Sequence, residues 1–120
     1  MTTANPEPSA IEQLAHATEL LRTAGGRLLW AKHDLDVDDL YRAAGSLVQV
    51  TIALQEISGH LEAATIQPRD GLRDDGGHDP TRRMTAAADS LAELTTYLAR
   101  AYEAAQDNHN AIGHIGQGRS

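Results

Sequence analysis

The chain has 120 residues, a formal net charge of −7 and no cysteine, which is the size of one ordinary domain with one core. Ten basic residues, of which only Lys32 is a lysine, assemble no footprint for a phosphate backbone, so no nucleic acid is expected as a partner. The lack of cysteine excludes disulfides, thiol catalysis and cysteine zinc sites. Alanine and leucine dominate an apolar fraction that contains no phenylalanine, which is an all-α composition.

MTTANPEPSA has no basic stretch followed by an apolar run, and no later window approaches the roughly 18 apolar residues of a membrane span. A cytoplasmic protein without a membrane partner is the expectation. Residues 1–9, with two prolines, read as a disordered lead. Ser9 followed three residues later by Glu12 is a capping box, so the first helix should begin sharply and run over about 10–32. Its stripe is Ile11, Leu14, Thr18, Leu21, Gly25 and Leu28, in steps of three and four. Gly25-Gly26 interrupts it at a cost of about 1 kcal/mol per glycine.

KHDLDVDD, residues 32–39, is either a calcium loop or a corner between helices. The D-x-D-x-D-G-x₅-E pattern fails twice, with Asp39 at its glycine and Gly45 at its bidentate glutamate. As a corner the stretch is well formed. Asp34 or Asp36 caps the next helix, and Asp38 and Asp39 complement its positive end. That second helix should cover about 36–64, burying Val37, Leu40, Ala44, Leu47, Val48, Thr51, Leu54, Ser58 and Leu61. Thr65-Ile66-Gln67-Pro68 ends it. A mobile glycine- and aspartate-rich loop is expected over 66–79, in which acids and His78 are more simply solvated than metal-bound.

Asp79-Pro80 restarts the helix, and a third one is predicted over about 80–108. Its stripe is Met84, Ala87, Leu91, Leu94, Leu98, Ala101 and Ala105. Three glycines among residues 109–120 then predict a flexible tail, with Ile112 and Ile115 as isolated apolar residues. The fold class is therefore all-α: three long helices in an antiparallel bundle forming one domain over 10–108. The buried stripes are narrow, and Leu20, Leu29, Trp30, Val50, Ile52 and Ile57 are left over. With Ile112 and Ile115 they are the candidate interface, and a homodimer or another helical protein is the expected partner.

Two Glu-x-x-x-His pairs, Glu12/His16 and Glu56/His60, would share one end of an antiparallel hairpin and form a candidate metal bundle. Ferritin-like di-iron bundles use Glu-x-x-His pointing inward. Here all four residues lie about 100–140° from the apolar stripes on a helical wheel, so they read as a solvated face. No nucleophile elbow, zinc helix motif or phosphate-cradling loop is present. The expectation is a non-enzymatic interaction or scaffold module without a cofactor.

Trp30 and the late segment YEAAQD from Tyr102 give the chain a resemblance to small actinobacterial type VII secretion substrates of the WXG100 kind, which are helical and about this long. Trp30 is followed by Ala31 and Lys32, where that family has one residue and then glycine, and Tyr102 meets Gln106 where the family has an acid. The resemblance implies a secreted substrate, or its partner, exported by a signal-peptide-independent route.

Overall fold

In a computed structural model that describes residues 7–67, 71, 76–77 and 79–117, three helices follow one another: α1 over Ala10–Ala31, α2 over Val37–Thr65 and α3 over Thr81–Gln117. No strand occurs among the described residues. None of the three helices is long and apolar enough to cross a membrane. The chain divides between Asp36 and Val37 into two units, one containing α1 and the other containing α2 and α3.

The start of α1 is fixed by side chains. The Ser9 hydroxyl oxygen accepts from the Glu12 amide at 3.1 Å, and Glu12 Oε1 accepts from the Ser9 amide at 3.2 Å, so both halves of the capping box form. Lys32 ends the helix as its C-cap. The amide of Asp34 then donates to the Ala31 carbonyl at 2.8 Å, closing a turn.

Asp38 and Asp39 occupy the first turn of α2, where two carboxylates face the positive end of the helix. At the other end the Ile66 amide still reaches the Glu62 carbonyl at 3.3 Å. Much of the loop expected over 66–79, including His78, lies outside the described residues. Within it Gly71 and Gly77 have φ of 82° and 79°, a left-handed backbone that favours glycine.

Asp79 opens α3 as expected. Its Oδ1 accepts from the Thr81 amide at 2.9 Å and from the Thr81 hydroxyl at 2.6 Å. The Met84 amide donates to the Pro80 carbonyl at 2.9 Å, so proline sits in the first turn, where its missing N–H costs nothing.

The far end of α3 corrects the sequence reading. The chain stays helical to Gln117, so residues 109–117 extend the third helix and are not the flexible tail expected over 109–120. The physical reason is packing that single glycines do not announce. Tyr41 of α2 lies against Gly113, where an added Cβ would come within 3.0 Å of the Tyr41 Cε1. Contact with α2 outweighs a glycine penalty of about 1 kcal/mol.

Candidate interaction surface

The α2–α3 pair is an antiparallel hairpin whose register is set by three contacts. At one end Tyr41 stacks on His109, with ring centroids 4.3 Å apart and planes 24° apart. Beside them Gly45 admits the His109 imidazole, whose Nε2 would lie 3.4 Å from a Cβ at that position. Toward the other end Ser58 Oγ lies 3.1 Å from the Leu91 carbonyl and 2.6 Å from Thr95 Oγ1. Rising residue numbers on α2 thus meet falling numbers on α3.

What this seam buries is small. Among the described residues the buried set is Ala44, Val48, Ala88 and Ser58, and no large side chain is fully enclosed. Small residues let two backbones approach closely, so the hairpin is held by short-range packing and a hydroxyl pair more than by a leucine core.

On α2 the buried residues Ala44, Val48 and Ser58 all belong to the expected stripe, and on α3 Met84, Leu91, Leu98 and Ala105 are half-buried as expected, but other leucines of the two stripes fall outside. On α2, Leu40, Leu47 and Leu61 were expected inside and are exposed, Leu47 by 56%. On α3, the buried position is Ala88 where Ala87 was expected, Thr95 is half-buried, and Leu94 is exposed at 44%. Leu47 and Leu94 fall just outside the seam because the helices pack on the smaller residues next to them, Val48 and Thr95.

Helical phase gives the exposed leucines a common place. Leu40, Leu47, Leu54 and Leu61 recur every seven residues along one flank of α2. The antiparallel register sets that row on the same side of the hairpin as Leu94, Ala101, Asn108 and Ile115 of α3. Ile115 is 61% exposed. The result is a flank that is apolar along the whole of α2 and is interrupted on α3 by Asn108.

The residues anticipated as an interface divide between the two units. Leu20, Leu29 and Trp30 lie on α1 and are exposed, Trp30 by 84%. Val50 and Ile57 are half-buried on α2 next to the leucine row, whereas Ile52 is half-buried on the opposite flank, between Gly45 and Gly59. Ile112 is half-buried in the seam, and Ile115 joins the flank. Leu40, Leu47, Leu61 and Leu94 were missed as surface residues. Their seven-residue spacing was a visible signal, but so was their fit to a buried stripe.

The other candidate chemistry stays dispersed. Glu12 and His16 are exposed on α1, and Glu56 and His60 are exposed on α2. Among the described residues no group of three or more His, Asp or Glu is arranged to hold a metal ion. An open depression at the start of α3 is lined by Asp79, Thr81, Arg82, Thr85, Ala86 and Asp89, which are the capping residue and the turns it begins. Compared with known proteins, the chain matches no family model, no curated protein and no solved structure.

Proposed function

We propose that this chain is a non-enzymatic helical interaction or scaffold module, and that the leucine flank of the α2–α3 hairpin is where it binds protein. One observation supports this reading most. The hairpin buries alanine, valine and serine while Leu40, Leu47 and Leu61 of one α2 row and Leu94 of α3 are exposed on the same side. Fully burying a leucine is worth about 1.5–3 kcal/mol, so a row left outside is a large unrealised contribution. Apolar rows of this kind mark contact surfaces in small domains.

Affinity capture by the full chain from its native host tests the reading, with Leu47→Asp and Leu94→Asp run beside the unaltered protein. The expected result is a specific protein, or further copies of the chain, held by the unaltered form and lost from both variants. Retention of nothing, together with a monomeric chain, overturns the proposal.

A second reading, a secreted type VII-like substrate or its partner, rests on Trp30 and the YEAAQD segment. Trp30 lies within α1 and Tyr102 is half-buried on α3, so neither is placed at a helix-to-helix turn. Export that depends on residues 109–120 would favour this reading over the first, and retention of all the protein in the cytosol would remove it.

A further inference from the structure

The outer face of α2 has a property that narrows the choice of partner. Two rows run side by side along it, turned on average about 70° and about 130° from the mean direction of the buried Ala44, Val48 and Ser58 at 100° per residue. One is Leu40, Leu47, Leu54 and Leu61, and the other is Ala43, Val50, Ile57 and Ala64. Neither row contains a charged residue, in a chain of net charge −7. Both read the same in either direction: four leucines in the first, and small, β-branched, β-branched, small in the second.

A surface that is palindromic in side-chain size is complementary to itself under a two-fold axis, which is what an isologous dimer requires. We infer that α2 pairs with α2 of a second copy of this chain, antiparallel, about an axis that crosses the outer face between Val50 and Leu54. This deepens the interaction-module reading and rests on it. Four layers result, each made twice by the symmetry. Leu40 meets Ala64 of the second copy, Ala43 meets Leu61, Leu47 meets Ile57, and Val50 meets Leu54. Large side chains stand against small ones at the ends and β-branched ones against leucine at the centre, which is how adjacent helices fill space. Two hairpins joined in this way form a four-helix assembly.

Helix dipoles favour the antiparallel sense. The N-terminal end of α2 carries Asp38 and Asp39, and its last turn holds Glu62 and no basic residue. A parallel pair sets the four aspartates of two copies side by side with like dipole ends together, whereas an antiparallel pair keeps the two aspartate pairs at opposite ends and aligns opposite helix dipoles.

Two measurements on the full chain test this. Light scattering at roughly 50 μM, where a micromolar dimer is mostly formed, should give twice the 12.9 kDa chain mass. Leu47→Asp should give the chain mass with the helix content of the unaltered protein. Because the chain has no cysteine, mild replacements report the orientation. A mixture of Ala43→Cys and Ala64→Cys chains should be joined by a short bismaleimide, and Ala43→Cys alone should not, since its two thiols would stand about 27 Å apart along the axis at 1.5 Å per residue. Efficient Ala43→Cys self-linking, or a dimer indifferent to Leu47→Asp, overturns the inference. A monomer that still captures a host protein through Leu47 overturns self-pairing alone, and a monomer that captures nothing overturns the interaction reading with it.

Discussion

The Tyr41 ring lies nearly parallel to His109, at a centroid distance of 4.3 Å, and its edge closes over Gly113 one helical turn further along α3. This contact ties the last turns of α3 to the first turns of α2. The absence of a side chain at residue 113 is what admits the ring. Gly113→Val should therefore destabilise the hairpin by about 1–3 kcal/mol, the usual range for overpacking. Tyr41→Ala should instead loosen residues 109–117 locally. Hydrogen exchange resolved by residue distinguishes the two, because the first variant raises exchange along both helices and the second only at their joined ends.

A second prediction concerns the hydroxyl pair. Ser58 Oγ, Thr95 Oγ1 and the Leu91 carbonyl make three mutual contacts of 3.1, 2.6 and 2.9 Å, but the two hydroxyls have only two protons to donate. Two of the contacts are therefore proton-donating at any moment. Removing one hydroxyl leaves the other free to serve the carbonyl. Ser58→Ala or Thr95→Ala should each cost about 0.5–1.5 kcal/mol in urea unfolding, and the double variant should depart from the sum of the singles. Strict additivity would mean that the two hydroxyls act independently.

How far the sequence foretold the molecule differs by element. Capping chemistry is local, so Ser9, Glu12 and Asp79 were readable from type and spacing alone, and all three make the bonds expected of them. Helix identity was readable for the same reason, since period and propensity are properties of a short window. The facing of α2 and α3 was legible only in part: Ala44, Val48 and Ser58 stood in the expected stripe, but so did Leu40, Leu47 and Leu61. Leu47 and Val48 are neighbours, and either fits a buried stripe; only the position of α3 decides that Val48 is inside. The end of α3 escaped in the same way, because Gly113 reads as a helix breaker until Tyr41 is placed beside it. The surface residues Leu40, Leu47, Leu61 and Leu94 were consequently assigned to a core, and the true flank became visible only with the register.

Glycine has a different meaning in α1. An added Cβ at Gly25 or Gly26 would meet nothing within 4 Å. Gly25→Ala should therefore gain about 0.5–1 kcal/mol of local helix stability, through the smaller backbone entropy of alanine in the unfolded chain. The check is helicity by circular dichroism and slower amide exchange around residue 25. A loss of helicity at this position would show that the absent methyl group serves a packing role.

The last prediction separates the inner face of α2 from the outer one with adjacent residues. Val48 is 6% exposed and belongs to the seam, so Val48→Ala deletes buried methyl groups and should destabilise the hairpin by about 1–2 kcal/mol at any protein concentration. Leu47→Ala removes a larger side chain from the flank. Within a single chain its effect should stay inside about 0.5 kcal/mol, as for most surface changes. If the flank is covered by a second copy, Leu47→Ala lowers stability further as the chain is concentrated, because mass action links the dimer to folding. Urea melts of both variants at two concentrations a hundredfold apart therefore give a slope for Leu47 and none for Val48. Equal, concentration-independent losses at the two positions would place leucine and valine in one continuous core and remove the flank as a binding surface.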